Sequence, residues 1–378
     1  VSDKRLGKRK IQVGAELATW VAAMTVSSGG SAFSAASRSD VADDLLSGGL
    51  LAHAIDLDRD ALAPAVDAAL GAAHSGGRLV WQIDLPSAFH HDPEARLCMM
   101  FSDWDVRRGR THIDYSGDTV KIEVFAGRPM VLSGLWETMI EIDGQEQKPC
   151  GDWTDACEYT DDDVHYLEIE QPWTADVLLQ RQILLFREDR CLFLSDAILP
   201  HGSSEPKHET IKYASRLPLC SSIEVEAAEE TRELFFGDAR RRGMVLPLSA
   251  SEWRVAPSVA ELKGTQDEHL LLSSQGQVRL YAPLWFDFQQ RRFKRKRTWR
   301  QLTVAEQLRI LRRDEAVGYR VQVGSEQWMI YRSLVGTGCR TVLGKHLISD
   351  FFVSRFDPGD GSHDELLTVD DNESTDDE

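Results

Sequence analysis

From Leu79 onward, short stretches in which apolar and polar residues alternate follow one another along most of this 378-residue chain. The segments 119–124 and 165–170 both alternate with a period of two. Successive side chains of a β-strand point to opposite faces of a sheet, so this pattern is typical of half-buried strands. Amphipathic helices do not separate these segments, which disfavours a parallel α/β fold. The pattern predicts a mainly β protein, with a large antiparallel β-sandwich over residues 76–355.

Turn signals separate several pairs of predicted strands. Asp143-Gly144 follows the alternating stretch 136–142, and this dipeptide favours hairpin turns whose two central residues both need positive φ. The polar residues 187–190 separate two apolar runs, and Gly324-Ser325-Glu326 separates two alternating stretches. Each of these arrangements predicts a β-hairpin.

The two ends of the chain differ from its centre in composition. Residues 1–75 are rich in Ala, Ser and Gly. Within them Leu62, Val66 and Leu70 recur every four residues, which predicts a short helix in a partly helical N-terminal segment. Residues 356–378 contain ten acidic residues and no Lys or Arg. So little apolar surface does not offset the entropy of ordering, and we predict a disordered acidic tail there.

The charge and motifs of the chain limit its partners. A formal net charge of −18 at pH 7 repels nucleic acid at long range, so we do not expect a nucleic-acid partner. No apolar stretch reaches the ~20 residues that a membrane-spanning helix needs. Nucleotide-binding, dinucleotide-binding and zinc-protease motifs are missing from the sequence, and we expect no cofactor. The acidic run 161–163 beside His165 lacks the spacing of a calcium loop, so we interpret it as solvated and expect no metal site. The oligomeric state stays open.

One region resembles a known family. The Asp143-Gly144 turn is followed by a polar loop at 151–155, an acidic-flanked strand at 165–168, an arginine-containing strand at 180–184 and a strand that ends in Asp196. This order resembles the C-terminal β-sandwich of heparinase II/III-like polysaccharide lyases. The resemblance implies a carbohydrate-associated protein, periplasmic or secreted; without it, a cytoplasmic location is expected.

The sequence also departs from this family. The family's catalytic residues come largely from an α-helical toroid, which the residues before this sandwich are too few to form. Many members place a His-Asn pair before the turn, where this chain has Glu137-Thr138-Met139. The family's catalytic residues therefore cannot be assigned here position by position.

Lyase chemistry on a uronic acid needs a base for the C5 proton and a group that neutralises the carboxylate. His165, Tyr166 and Arg181 lie on neighbouring predicted strands, so they are the catalytic candidates if they meet on one face of the sheet. Trp153 is the candidate platform for stacking a sugar ring. Ordinary cross-strand packing is the alternative interpretation of all four residues.

The most unusual local feature is the basic run 291–300, which contains seven Lys and Arg residues and Trp299. Arg295, Lys296, Arg297 and Trp299 are its candidate substrate-binding residues, because clustered cations attract a polyanion such as a sulfated or uronate glycan. The alternatives are a solvated loop, or a loop paired with the acidic tail.

Three functions follow from these observations. The first is a carbohydrate-associated β-sandwich protein that binds an anionic polysaccharide. The second is a truncated but active polysaccharide lyase, and the third is a non-catalytic interaction or structural protein. The sequence does not decide whether the protein is an enzyme.

Overall fold

The computed structural model describes residues 8–26, 31–33, 59–70, 85–202 and 210–370. The fold is mainly β, as predicted, and its strand pairs are antiparallel. The chain divides into two compact units. The first comprises Val1–Trp136 with Pro218–Cys220, and the second comprises Glu137–Leu217 with Ser221–Glu378.

The first unit combines two helices with one antiparallel sheet. Its elements are α1 (Lys8–Met24), α2 (Arg59–Leu70), β1 (Phe89–Asp92), β2 (Leu97–Phe101), β3 (Arg110–Asp114), β4 (Lys121–Phe125) and β5 (Met130–Leu135). The strands lie in sequence order. The core joins small residues of α1, such as Ala18 and Ala22, to Leu62 and Val66 of α2 and to Phe101 of the sheet. The predicted amphipathic helix is therefore confirmed over the described residues.

The sheet of the first unit also buries a polar pair. His112 on β3 and Glu123 on β4 are directly opposite each other, and both are almost fully buried. The His112 Nδ1 and Glu123 Oε2 atoms are 3.2 Å apart, and the Phe33 amide donates to the other Glu123 oxygen at 2.8 Å. Burial lowers the pKa of His112, against an opposing effect of Glu123, so we describe the pair as a neutral imidazole donating to a carboxylate.

The second unit contains the remaining strands. They are β6 (Glu137–Ile142), β7 (Gln145–Glu146), β8 (Thr154–Thr160), β9 (Val164–Trp173), β10 (Val177–Phe186), β11 (Cys191–Pro200), β12 (Ile211–Pro218), β13 (Glu224–Ala227), β14 (Leu234–Gly237), β15 (Arg241–Pro247), β16 (Ala260–Gly264), β17 (His269–Gly276), β18 (Leu280–Asp287), β19 (Arg297–Leu302), β20 (Val304–Glu306), β21 (Arg309–Ile310), β22 (Ala316–Val323), β23 (Glu326–Ser333), β24 (Arg340–Val342), β25 (Lys345–Leu347), β26 (Phe351–Phe356) and β27 (His363–Val369). A short 3₁₀ turn at Gln290–Arg292 precedes β19.

Two large sheets of the second unit form the predicted sandwich. An eight-stranded sheet in the order β13-β14-β15-β18-β11-β10-β9-β8 packs on a five-stranded sheet in the order β19-β22-β23-β26-β27. The core between them contains Tyr166, Phe193 and Trp285 from the first sheet and Trp328 and Phe351 from the second. A further sheet, β16-β17-β12-β6-β7, and a small sheet, β21-β20-β24-β25, complete the unit.

The turn chemistry read from the sequence is confirmed. Asp143 and Gly144 have φ of 48° and 84° and connect β6 to β7. The polar residues 187–190 connect β10 to β11, and Gly324, with φ of 65°, lies in the turn between β22 and β23.

Two boundaries differ from the prediction. The strands β1–β5 were expected in the sandwich, but they lie with the helices of the first unit. Disorder was expected from residue 356, but β27 pairs with β26 and buries Leu366 and Leu367, so that expectation is wrong for His363–Val369. Although the segment is rich in acidic residues, two consecutive leucines supply the apolar surface that the strand buries. Residues 371–378 lie outside the described part. Among the helices of the described part, none is long and apolar enough to cross a membrane.

Candidate functional site

The three catalytic candidates do not meet on one face of their sheet. Tyr166 on β9 is directly opposite Leu184 on β10, and its ring stacks on Phe351 inside the sandwich. Arg181 is opposite Ile169, so its side chain points to the other face of the sheet. His165 shares that other face with Arg181 but lies four residues away along the strand. The expectation that the three converge is therefore wrong, because residues 165 and 166 are adjacent and adjacent residues alternate faces.

Tyr166 belongs to a buried polar network between the two large sheets. Its hydroxyl donates to Glu168 and accepts from the Gln182 amide at 2.8 Å. Arg332 on β23 reaches both Glu168 oxygens at 3.3 Å, so the network links the two sheets. Burial, with the Glu168 carboxylate second, raises the pKa of Tyr166 well above its usual range. Such a phenol keeps its proton and is unsuited to act as a base.

Arg181 is held in a second buried cluster. Its guanidinium donates to both oxygens of Asp196 at 2.8 Å and to Thr138 at 2.6 Å. Tyr213 on β12 donates to the same Asp196 at 2.7 Å. A bidentate pair of this kind holds β10 and β11 to β6 and β12 and leaves the guanidinium no exposed surface.

Trp153 does not offer a sugar-stacking surface. Its side chain is 2% exposed, and the Arg181 guanidinium lies over its ring at 5.1 Å from the centroid. One face of the indole is therefore occupied by a protein cation, and the ring is buried. Its role in this structure is packing, which is the alternative interpretation given above.

The basic run 291–300 divides into inward-facing and outward-facing residues. Trp299 is 1% exposed, and its Nε1 donates to the Ala250 carbonyl at 2.9 Å. Arg297 lies over Phe235 and donates to two carbonyls of its own loop, while Arg292 is buried against Asp287. The expected exposed binding role of Trp299 is therefore wrong: Trp299 is opposite the core residue Val321, and this register directs it inward.

The outward-facing cations form what we call the basic surface. They are Arg291, Lys294, Arg295, Lys296 and Arg300, all exposed, and Arg320, which is half-buried. Within the described residues, none of the six makes an ion pair or a side-chain hydrogen bond. A cleft of about 210 Å³ opens between Arg291 and Arg295, with Gly324 and Ser325 in its lining, and Glu326, which also lines it, pairs with Arg292.

Strand register adds Arg320 to this surface. Arg300 on the edge strand β19 is directly opposite Arg320 on β22, on the outer face of the sheet. Like charges in opposite positions of an antiparallel pair repel and destabilise it. The sequence separates these residues by 20 positions, and only the pairing of β19 with β22 brings them together, so sequence reasoning missed Arg320.

The described part of the chain contains no group of three or more His, Cys, Asp or Glu side chains placed to hold a metal ion. Asp161 and Asp163 of the acidic run serve the fold instead. The Asp161 carboxylate accepts two backbone amides of its own turn, and Asp163 pairs with Arg355 at 3.0 Å.

Solved structures resemble the fold of this chain, although sequence comparisons find no match. No protein-family model and no curated protein sequence matches the chain. A solved structure of heparinase III with methylated lysines superposes with a TM-score of 0.56 at 9% identity, covering 87% of this chain and 53% of that chain. A second heparinase III structure gives a TM-score of 0.53 at 9% identity, covering 87% and 55%. The heparan sulfate lyase HepC from Pedobacter heparinus gives 0.47 at 10% identity, covering 72% and 45%.

The fold of this protein is distantly similar to that of heparinase III. The expected resemblance is thus confirmed at the level of the fold. The chain spans about half the length of these structures.

Proposed function

We propose that this protein binds an anionic polysaccharide and that the basic surface is the binding site. The observation that carries the proposal is the set of six cations that no described acidic side chain neutralises, in a chain of net charge −18. Some exposed arginines elsewhere in the second unit, such as Arg241 and Arg309, have carboxylate partners, whereas Arg240 and Arg313 have none among the described residues. Cations kept apart from a large excess of carboxylates are available to an external anion.

The chemistry of the surface suits sulfate and carboxylate groups. A guanidinium presents a planar fork of donors that matches either group, and two opposed guanidiniums relieve their mutual repulsion by sharing an anion. Arg300 and Arg320 provide such a pair. The cleft between Arg291 and Arg295 provides a second position for an anionic group.

The shape of the surface suits a polymer. β19 is an edge strand, and the exposed cations at 291–296 precede it along the chain. A ligand can therefore lie along the edge without entering a closed pocket. The shared fold with heparinase III, whose name refers to heparin, supports a glycan over another polyanion.

The proposal is for binding and not for cleavage. His165, Tyr166 and Arg181 are each buried, and Tyr166 points to a different face from the other two. A polysaccharide has no access to them in this structure. The lyase alternative would need catalytic groups other than these three.

Salt elution from heparin and from a neutral glucan tests the proposal. The variant Arg295→Ala/Lys296→Ala/Arg300→Ala should elute from heparin at clearly lower salt than the unaltered chain, since charge-to-charge contacts are screened by salt. The matched control Arg107→Ala/Arg241→Ala/Arg309→Ala removes the same charge from side chains that are 45%, 42% and 56% exposed and already paired. It should elute like the unaltered chain.

Two outcomes would reject the proposal. Passage of the unaltered chain through heparin at low salt would show that the cations are simply solvated. Equal shifts for the test and control variants would show that net charge acts, and not the basic surface.

A further inference from the structure

A larger cleft lies on the outer face of the sheet β16-β17-β12-β6-β7 and shares no residue with the basic surface. Its volume is about 850 Å³, within the range of pockets that hold small ligands. Met139 on β6 and Ala214 on β12 are directly opposite each other in its lining, and Ser273 on β17 also contributes. The sheet fixes the backbone at these positions, so the floor of the cleft is preformed more precisely than a loop would make it.

One wall of the cleft is a loop, residues 254–259, and a single arginine holds it in place. The Arg232 guanidinium donates to the carbonyls of Ser251 at 2.9 Å, Arg254 at 3.1 Å and Ala256 at 2.9 Å, and also to that of Trp253. Four carbonyls, two in this loop and two just before it, are fixed by one side chain and give the wall a defined shape, which lowers the entropy cost of ordering it on binding. Arg232 is thereby occupied, and it is not the ligand-binding group.

The charges that line the cleft balance. Its three cations are Lys212, Arg232 and Arg254, and its three carboxylates are Glu141, Glu146 and Glu261. Lys212 and Glu141 already pair at 2.6 Å. A polyanion gains no net attraction here, in contrast to the basic surface. The balance favours a ligand without net charge.

The remaining lining groups are both apolar and polar. Met139 and Val259 are 52% and 43% exposed and give the cleft an apolar surface. Ser273, Gln275, Glu146 and Glu261 make no side-chain hydrogen bond within the described residues, so hydroxyl, amide and carboxylate groups are available. Donors and acceptors beside an apolar surface match a sugar ring, whose hydroxyls donate and accept and whose ring faces are apolar.

We propose that this cleft binds an uncharged oligosaccharide. The pyranose ring faces Met139 and Ala214, its hydroxyls bond to Ser273, Gln275 and the Arg254 guanidinium, and the bound ligand adds no charge to the balanced lining. The protein would then hold two glycan sites of opposite preference, one for polyanions and one for neutral saccharides. This second site does not depend on the basic surface being a binding site.

Titration calorimetry with neutral hexasaccharides of glucose, xylose, mannose and galactose tests the proposal. At least one of them should bind the full chain, with an affinity that does not change between low and high salt. Ala214→Tyr fills the floor of the cleft at an outward strand position where an aromatic residue is well tolerated, and it should weaken binding at least about tenfold. Lys263→Tyr, on the same face but outside the cleft, should bind like the unaltered chain.

Gln275→Ala provides a second variant that adds no bulk, and it should weaken binding several-fold while circular dichroism stays unchanged. The proposal is overturned if no neutral hexasaccharide binds at millimolar concentration, if Ala214→Tyr and Gln275→Ala both leave the affinity unchanged, or if heparin competes for the cleft. Heparin elution of Ala214→Tyr is measured alongside. Unchanged heparin elution of this variant would show that the substitution leaves the basic surface intact. Loss of neutral-saccharide binding would then concern the cleft alone.

Discussion

Arg181 and Arg300 carry the same guanidinium, but their surroundings give them different roles. Arg181 is buried and fixed by Asp196 through two bonds of 2.8 Å, whereas Arg300 is exposed and has no ion-pair partner in the described part of the chain. A buried cation must be paired to offset its desolvation, so Arg181 is committed to the fold. An exposed, unpaired cation keeps its charge available for a ligand.

Removing the partner of Arg181 should therefore be costly. We expect Asp196→Ala to lower the free energy of unfolding by about 3–5 kcal/mol, because it leaves a buried charge uncompensated. Glu226→Ala removes the partner of Arg241 at the surface, where the two side chains are 62% and 42% exposed, and should change stability little. Urea unfolding of both variants measures the contrast, and similar small losses would show that the Arg181 cluster contributes little to stability.

The buried His112 should make stability depend on pH. Its pKa in the folded state lies below the unfolded value of about 6.5, so the unfolded chain binds the proton first as the pH falls. The contribution of His112 to the free energy of unfolding is thus complete above about pH 6.5 and is lost on acidification through the folded-state pKa. Glu123, which faces it and opposes the shift, and the nearby Arg110 cation, which adds to it, are the charged groups involved.

Urea unfolding at several pH values checks this expectation. His112→Gln keeps a donor for Glu123 but cannot titrate, so its stability should fall less between neutral and mildly acidic pH than that of the unaltered chain. His346→Gln replaces an exposed histidine and should leave the pH dependence unchanged. If His112→Gln follows the same curve as the unaltered chain, His112 is not the responsible group.

At the scale of elements, β27 shows how a few residues decide whether a polar segment is ordered. Its sequence, His-Asp-Glu-Leu-Leu-Thr-Val, carries two acids, yet it pairs with β26 and buries Leu366 and Leu367 at 2% exposure each. Fully burying a leucine stabilises the fold by about 1.5–3 kcal/mol. The strand therefore belongs to the sandwich.

Two truncations should distinguish the contribution of β27 to stability from that of the residues that follow it. A chain that ends at Phe356 should be less stable by about 3–6 kcal/mol, from the two buried leucines. A chain that ends at Asp370 keeps every described contact of β27 and should unfold like the full chain. Thermal unfolding compares the two, and equal melting temperatures for both truncations would contradict the structural role of β27.

Local patterns were sufficient for the elements but not for the site. Asp143-Gly144 and the polar residues 187–190 predicted hairpins because turn chemistry is local in sequence. Which face a residue occupies depends on pairing with distant strands, and this pairing buries Trp299 and places Arg320 opposite Arg300. Charge and residue type alone therefore located the basic run but misassigned Trp299 and Arg297 within it.

At the scale of the whole chain, the basic surface is a local cluster of positive charge in an acidic protein. The basic surface spans the exposed cations that precede β19, Arg300 on β19 and Arg320 on β22, in a protein whose net charge is −18. Five of the acidic residues lie at 371–378. These residues follow directly after β27 and Asp370. Val369 of β27 pairs with Phe351, at the end of the sheet opposite to Arg297. The strands β27 and β19 form the two opposite edges of this sheet.

This geometry yields a prediction about the acidic residues 371–378. Three strand spacings across the sheet and three residues along it place the end of β27 about 17 Å from Arg320, the member of the basic surface nearest to it in this sheet. That distance exceeds the ~10 Å over which charges act in 0.1 M salt. Residues 371–378 contain no apolar side chain and would have to fold back over the sheet, with a loss of conformational entropy, to reach Arg320. Deleting them should therefore change heparin affinity by less than about twofold in that salt. Isothermal titration with a heparin oligosaccharide, with and without these residues, measures the effect. A large gain in affinity on deletion would mean that they occupy the basic surface and compete with the glycan there.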